Sequence, residues 1–445
     1  MKDSKEAKEL SKQRNQFLKD AGLTEYGFTG TMKYFYKHFN QNIGSNVAVH
    51  CIAKQAWSAF EKKLFGNGDR IHFKKPGDIN SLQGYSQSGK SGGSEITFRE
   101  TEIEWKGLHL PLKIDPKNSY EQEMLTKRVK YVRILRTPGK HKTRWYAQLV
   151  LEGAPAIKAD KNGLLIHPVG TGAVGIDIGP QTVAISSENK VDLLELADQV
   201  QNIERKKAML QRKLDRSRRA MNPENYAADG TIRRGVRLTK NKSGHYKRLQ
   251  HELAFIQYQQ AEVRKRQHTA LANYVLFLGD RIYIEDMNWS SLTHRAKKTE
   301  RSEKTGKIKR KKRFGKSVAN KAPAMFVRIL SQKCASLAEV LPDPPRLILV
   351  PTFAKASQYD HQSDSFQKKE LSQRWAVLQD GQTIQRDLYS AFLLQHFNTE
   401  TDSFDKQALT RDFPKFTTLH DQEIYRIEHS EKRILRSMGI RRTAS

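Results

Sequence analysis

Three short apolar segments follow one another within residues 173–196, and their order constrains the fold more than any other feature. They read AVGIDIG, QTVAISS and KVDLLEL, with the turn residues Gly179 and Pro180 between the first two. Short apolar runs bounded by glycine and proline are typical of strands. In the first run the apolar side chains alternate with glycine and Asp177. Since side chains alternate across a strand, Asp177 is expected on the face opposite the apolar ones.

The segments that follow extend this pattern over residues 171–355. Helices are predicted at 201–219 and 245–278, and a fourth strand, in RIYIEDMNW (281–289), ends in the carboxylate pair Glu285 and Asp286. An amphipathic helix that opens at Pro323 and a fifth strand, RLILVP, complete the region. The predicted order is therefore strand, strand, strand, helix, strand, helix, strand.

Asp387 lies at the predicted start of a further helix, in QRDLYSAFLLQHF. Taken singly, Asp387 is explained as a helix-start residue and Asp177 as a turn cap. Taken together with Glu285, they would gather three carboxylates at one edge of a sheet. Such a cluster repels itself unless cations bind, and Mg²⁺ prefers oxygen ligands. Two Mg²⁺ ions there can promote phosphodiester hydrolysis, so the pattern predicts a nuclease.

The charge balance predicts a polyanionic partner. The 445 residues contain 79 Lys and Arg against 48 Asp and Glu, for a net charge of +31. Nucleic acid is the expected partner, and a generic RNA-binding protein is the alternative that charge alone supports. Eight of the basic residues lie in 201–219 beside a thin apolar stripe, and nine lie in 301–316, predicted to be a mobile loop. The residues predicted to bind nucleic acid are Arg205, Lys206, Arg212, Lys213, Arg216, Lys309, Arg310 and Lys311.

The N-terminal region, 1–160, has a different texture. Helices are predicted at 4–20 and 47–65, and strands from residue 71 onward, ending in a hairpin of VKYVRILR and RWYAQLVLE. These strands predict a small β-barrel or twisted sheet.

No apolar run is long enough to span a membrane and no signal peptide is recognisable, so the protein is expected to be cytoplasmic. Cys51 and Cys334 are too few and too far apart for a disulfide framework and are expected to be core thiols.

The segments GIDIG (175–179), IEDMN (284–288) and QRDLYSAFLL (385–394) resemble the three split RuvC motifs of the transposon-encoded TnpB proteins and the compact type V CRISPR nucleases. The resemblance implies an α/β plus β-barrel protein with an RNase H-like RuvC nuclease domain and an N-terminal wedge β-barrel carrying a helical recognition insertion. The implied domains are the wedge barrel at 1–160 with its insertion at about 30–68, the first part of the RuvC domain at 171–355 with a basic helical arm at 198–278, the last RuvC helix at 386–400, and a C-terminal tail at 401–445 that includes a predicted helix at 420–439.

The resemblance also implies an RNA-guided DNA endonuclease. Such a protein binds a guide RNA, recognises a short flanking motif on duplex DNA and cleaves DNA that pairs with the guide. Asp177, Glu285 and Asp387 would then be catalytic and would hold two Mg²⁺ ions. Arg386 would contact either the scissile phosphate or a neighbouring carboxylate.

One segment departs from the family pattern. TnpB proteins usually carry a four-cysteine zinc ribbon before the third acid, which corresponds here to residues 356–385. The expected cysteine positions hold Asp360, Ser363, Val377 and Asp380. Without thiolates no zinc is expected, although His361 with Asp360 and Asp380 are residue types that can bind metal. The segment is predicted to be a degenerate target-loading insert held by other contacts. This departure keeps open a guided DNA-binding protein, repressor-like, that does not cut.

Overall fold

The protein consists of two compact units, Met1–Ala156 and Ile157–Ser445, in a computed structural model. Lys309, Arg310 and Lys311, with most of the predicted basic loop, lie outside the described residues. The structure describes residues 3–38, 47–66, 68, 70–74, 79–86, 96–156, 158–293, 314–368, 370 and 373–442.

The helices of the first unit agree broadly with the sequence. The helix predicted at 47–65 begins with a π-helical turn, Val47–Ile52, and continues as an α-helix, α3, to Leu64. Asn118 caps the last helix of this unit by accepting a hydrogen bond from the Glu121 amide. The α-helices are α1 (Asp3–Asp20), α2 (Glu25–His38), α3 (Ala53–Leu64) and α4 (Ser119–Leu125).

The strands of the first unit form two antiparallel sheets of three strands each. One sheet has the order β1-β5-β6 and the other the order β2-β3-β4. The predicted hairpin is confirmed, with Arg136 opposite Trp145. The strands are β1 (Ser81–Tyr85), β2 (Ile96–Arg99), β3 (Glu102–Trp105), β4 (Leu108–Pro111), β5 (Val129–Pro138) and β6 (Thr143–Leu151).

The predicted wedge barrel is not closed among the described residues, and this part of the prediction is corrected. Strands β2, β3 and β4 pair only with one another, so the hydrogen-bond ladder does not run round a barrel. The two sheets instead share an apolar core that includes Ile96, Ile103 and Val132. The strand predicted from residue 71 is absent among the described residues 71–74, which form no strand pairing.

The second unit is built on a mixed five-stranded sheet of order β11-β10-β7-β8-β9. The first three strands along the chain are antiparallel, and β10 and β11 run parallel to β7. All five strands were predicted by the apolar runs. They are β7 (Ala173–Ile178), β8 (Thr182–Ser187), β9 (Lys190–Glu195), β10 (Arg281–Glu285) and β11 (Arg346–Val350).

Besides the sheet, the described part of this unit contains seven α-helices and three small hairpins. The helix predicted at 420–439 instead begins at Lys406, where Asp405 accepts a hydrogen bond from the Ala408 amide, and ends at Glu428. The helices are α5 (Val200–Met221), α6 (Gly244–Leu278), α7 (Trp289–Thr293), α8 (Gly315–Lys321), α9 (Pro323–Ala338), α10 (Arg386–Gln395) and α11 (Lys406–Glu428). The hairpin strands are β12 (Tyr359–Asp360), β13 (Ser365–Phe366), β14 (Trp375–Val377), β15 (Thr383–Gln385), β16 (Phe397–Asn398) and β17 (Ser403–Phe404).

Helices cover both faces of the five-stranded sheet. Val174, Ile176 and Ile284 pack with residues of α6 and α9 in one core. The opposite face packs against α10 and α11 in a second core that contains Ala184 and Phe392. The alternation predicted for β7 therefore holds, and Asp177 belongs to the α10 face.

Both cysteines are buried, as predicted for core thiols. Burial raises the pKa of Cys334 to about 11, which keeps this thiol protonated and unreactive at neutral pH. Among the described helices, none has both the length and the apolar character needed to cross a membrane.

Candidate metal and nucleic-acid site

Asp177 and Glu285 lie side by side at the ends of two parallel strands. Ile176 of β7 pairs with Ile284 of β10, so the next residue of each strand is a carboxylate. The paired isoleucines belong to the core beneath α6 and α9. Since side chains alternate along a strand, both carboxylates lie on the α10 face of the sheet.

Asp387 reaches the same place from the first turn of α10. This helix crosses β7 at Gly175, where a Cβ atom would lie 1.9 Å from the carbonyl oxygen of Ala391. Only glycine allows the backbones to come this close. The pKa of Asp177 is raised well above its ordinary value by burial and then by the negative charges of Asp387 and Glu285. These three acids, the three-acid site below, are therefore electrostatic neighbours, and all three are half-buried.

Gln385 fixes the start of α10. Its side-chain oxygen accepts a hydrogen bond from the Leu388 amide at 2.8 Å, and its side-chain nitrogen donates to the Met438 carbonyl at 3.1 Å. The backbone N–H of Gln385 donates to Nε2 of His420 at 3.0 Å. Glutamine is not a preferred N-cap residue, so the sequence carried no signal for this role.

Two arginines hold the Asp387 carboxylate. Arg386 donates from Nε and Nη2 to Oδ1 at 3.3 and 3.1 Å, and Arg374 donates from Nη1 to Oδ2 at 3.4 Å. Arg386 is buried and also donates to the carbonyls of Glu370 and Gln373. Of the two contacts predicted for Arg386, the structure shows the one to a carboxylate. Arg374 was missed as a site residue because it reaches Asp387 from the chain before β14, outside all three motifs.

The three-acid site fits Mg²⁺ by donor type. Carboxylate oxygens are hard ligands, and burial raises the pKa of Glu285 as it does that of Asp177, so a cation would relieve charge that the protein itself leaves poorly compensated. The three carboxylates do not surround a position where an ion could be bound. Within the described ranges, no three His, Cys, Asp or Glu side chains stand close enough to hold a metal. Asp387 would exchange at least one arginine contact for the ion.

A basic face runs along α5. On its packed side, Ile203, Leu210 and Leu214 contact apolar residues of α6, which confirms the predicted stripe. The other side is exposed. Five predicted nucleic-acid-binding residues, here called the basic face of α5, are all exposed there: Arg205, Lys206, Arg212, Lys213 and Arg216.

The described residues of the segment 356–385 include two short hairpins, β12-β13 and β14-β15. A reciprocal pair joins them: the Gln362 side-chain nitrogen donates to Asp380 Oδ2 at 2.8 Å, and the Asp380 amide donates to Gln362 Oε1 at 3.0 Å. His361 is buried, its ring lies tilted against Phe413 with centroids 4.6 Å apart, and it forms a hydrogen bond with the Tyr389 hydroxyl at 2.6 Å. The hairpins are therefore linked by side-chain hydrogen bonds, and His361 is part of the core.

The chain was also compared with known proteins. No protein-family model matches it, and no curated protein matches it either.

Proposed function

We propose that the protein is an RNA-guided DNA endonuclease whose second unit is an RNase H-like RuvC domain. The sheet order supports this proposal, since a central strand flanked by an antiparallel hairpin on one side and two parallel strands on the other is the arrangement expected of that fold. The family resemblance of the motifs supports it independently.

The observation that carries the proposal is the convergence of the three acids. They come from widely separated parts of the sequence, yet Asp177 and Glu285 share one face of the sheet and Asp387 approaches that face from α10. Structural stability gives no reason to gather them, because their repulsion and burial raise the pKa of Asp177. A catalytic site for phosphodiester hydrolysis does give a reason.

In this proposal Asp177, Glu285 and Asp387 would draw together to hold two Mg²⁺ ions, which when bound would supply Lewis acidity toward the phosphate and a nucleophilic water. Arg386 orients Asp387, and its other donors are fixed by two backbone carbonyls. Arg374, which is more exposed than Arg386, is the cation placed to face an incoming phosphate. The buried Gln385 keeps the first turn of α10 in position.

The basic face of α5 and the net charge of +31 support nucleic acid as the partner. In the proposal they hold a guide RNA and the target DNA paired with it through their phosphates, while base pairing supplies sequence specificity. A generic RNA-binding protein would share this charge but would have no use for the three-acid site.

Sequencing RNA that copurifies with the protein, followed by cleavage of plasmids with randomised flanking motifs, tests the proposal. A defined RNA with a variable end and Mg²⁺-dependent cutting are expected. Asp177→Ala should abolish cutting and retain the RNA. The matched control is Asp286→Asn, since Asp286 is the exposed neighbour of Glu285 and should be dispensable. Cutting that persists in Asp177→Ala would refute the assignment.

The second candidate is a guided DNA-binding protein that does not cut. The observation that favours it is the pairing of both Asp387 oxygens with arginines, which compete with a metal. Target binding that matches the guide, without cleavage at any Mg²⁺ concentration, is the result that distinguishes it from the nuclease.

A further inference from the structure

A cavity of about 430 Å³ lies in the second unit, at the opposite edge of the five-stranded sheet from the three-acid site. Ala173 and Arg281 line it from the first residues of β7 and β10, whereas Asp177 is next to last in β7 and Glu285 is last in β10. Asp177 lies four steps along the strand from Ala173, a distance of about 13 Å. The cavity is therefore a separate site, and its volume is within the roughly 300–1,000 Å³ typical of small-molecule pockets.

The inner wall of the cavity is apolar and aromatic. Phe392 of α10 and Phe416 of α11 stack on each other with ring centroids 4.3 Å apart and are 2% and 3% exposed, so they back this wall rather than present a free ring face. Leu419 extends the wall along α11, beside the polar side chains of Gln395 and His396. The opposite side includes Gly172 and Ala173, whose small size leaves the strand backbone close to the space. This combination suits a flat apolar or aromatic body.

The rim of the cavity is cationic. It carries Arg281, Arg411 and Lys415 against two acids, Glu188 and Asp412. Both acids are already engaged. Arg411 and then His396 lower the pKa of Asp412 to about 2, and Glu188 lies 3.4 Å from Lys415.

Arg281 is the rim cation with most capacity for a ligand. Its Nε lies 3.8 Å from Asp280 Oδ1, beyond hydrogen-bond distance, and that oxygen accepts a bond from the Gly172 amide at 3.0 Å. The Arg281 side chain is 59% exposed. Arginine forms paired hydrogen bonds to phosphate oxygens. Lys415, which donates to Asn189 Oδ1 at 2.8 Å and lies beside Glu188, can add a second positive charge by exchanging one of these contacts.

We propose that this cavity binds a nucleotide, with the base against the aromatic wall and the phosphate at Arg281 and Lys415. The nucleotide has two sources with the same chemistry: a free mononucleotide, or the terminal nucleotide of a strand held by the protein. This site is independent of the proposed cleavage activity, because it shares no residue with the three-acid site.

Calorimetric titration of the Asp177→Ala protein tests the proposal without any cleavage of the probe. The probes are adenosine 5′-monophosphate, adenosine, inorganic phosphate and a 5′-phosphorylated tetranucleotide. Adenosine monophosphate is expected to bind at least tenfold more tightly than adenosine or phosphate, because it uses both wall and rim. Arg281→Ala and Lys415→Ala should each weaken it about tenfold.

Arg346→Ala is the matched control, because exposed Arg346 lies directly beside Arg281 in the sheet and does not line the cavity. It should leave the affinity unchanged, and thermal melts of all variants verify folding. If the tetranucleotide binds at least tenfold more tightly than adenosine monophosphate, the source is a strand end; if the two bind equally, it is a free nucleotide. Equal affinities of the Arg281, Lys415 and Arg346 variants for every probe, or phosphate binding as tightly as adenosine monophosphate, overturns the proposal.

Discussion

Replacing Gly175 with alanine tests the contact that brings Asp387 to the sheet. The added methyl group would lie 1.9 Å from the Ala391 carbonyl oxygen and 2.4 Å from the Gln395 nitrogen, whereas ordinary contact begins at 3.4 Å. Helix α10 would have to move away from β7 until both distances reach ordinary contact. Both obstacles are backbone atoms, so no rotamer change relieves the clash. Overpacking a core typically costs about 1–3 kcal/mol, and we expect the upper end of that range here.

At about 2–4 °C per kcal/mol for a large domain, this cost lowers the melting temperature by roughly 6–12 °C. Thermal and urea denaturation followed by circular dichroism measure it. Gly244→Ala is the control, since Gly244 begins α6 with no atom within 4 Å of the added Cβ. Alanine there should leave stability unchanged or raise it by up to about 1 kcal/mol. If Gly175→Ala melts no lower than Gly244→Ala, the close approach of α10 to β7 is wrong.

Three further predictions concern charge. The pKa of Asp177 is raised in the folded protein, so as pH rises above 3.8 the unfolded chain loses a proton that the folded protein retains, and the free energy of unfolding falls toward neutral pH. Asp177→Asn should therefore have a higher melting temperature than wild type at pH 7 and the same melting temperature near pH 3. Lys321 forms a buried ion pair with Glu195 at 2.6 Å, so Lys321→Ala should lower the free energy of unfolding by about 3–5 kcal/mol in urea titrations, and Lys321→Met with Glu195→Leu should recover most of it. Neutralising the basic face of α5 should reduce the slope of log affinity for RNA against log salt by about 0.7 per lost phosphate contact, with unchanged slopes contradicting its role.

The order of strands and helices in the second unit was predictable because each element carries its own period. The alternation around Asp177 predicted a strand with two different faces, and the stripe on α5 predicted a helix packed on one side. Parity along β10 likewise predicted that Glu285 shares a face with Tyr283. These are local properties of the chain, and they were enough to predict that the candidate acids lie at one edge of the sheet.

Sheet closure and pair contacts were not predictable in the same way. The strands of the first unit show alternation, but nothing local determines whether β2 to β4 join the other ladder, and among the described residues they do not. The contact of Arg374 with Asp387 depends on how the hairpin before α10 folds back. Gly175 looked like an ordinary interruption of a strand, because the helix that requires it comes much later in the chain.

The Gln362–Asp380 pair has a consequence for how residues 356–385 assemble. The amide of Gln362 and the carboxylate of Asp380 join the two hairpins through hydrogen bonds between protein atoms. The Asp380 carboxylate is exposed, and its pKa is lowered by the hydrogen bonds it accepts, so only acid strong enough to protonate it would loosen the junction. Acidification is therefore the condition expected to separate the two hairpins that precede Asp387 in the chain.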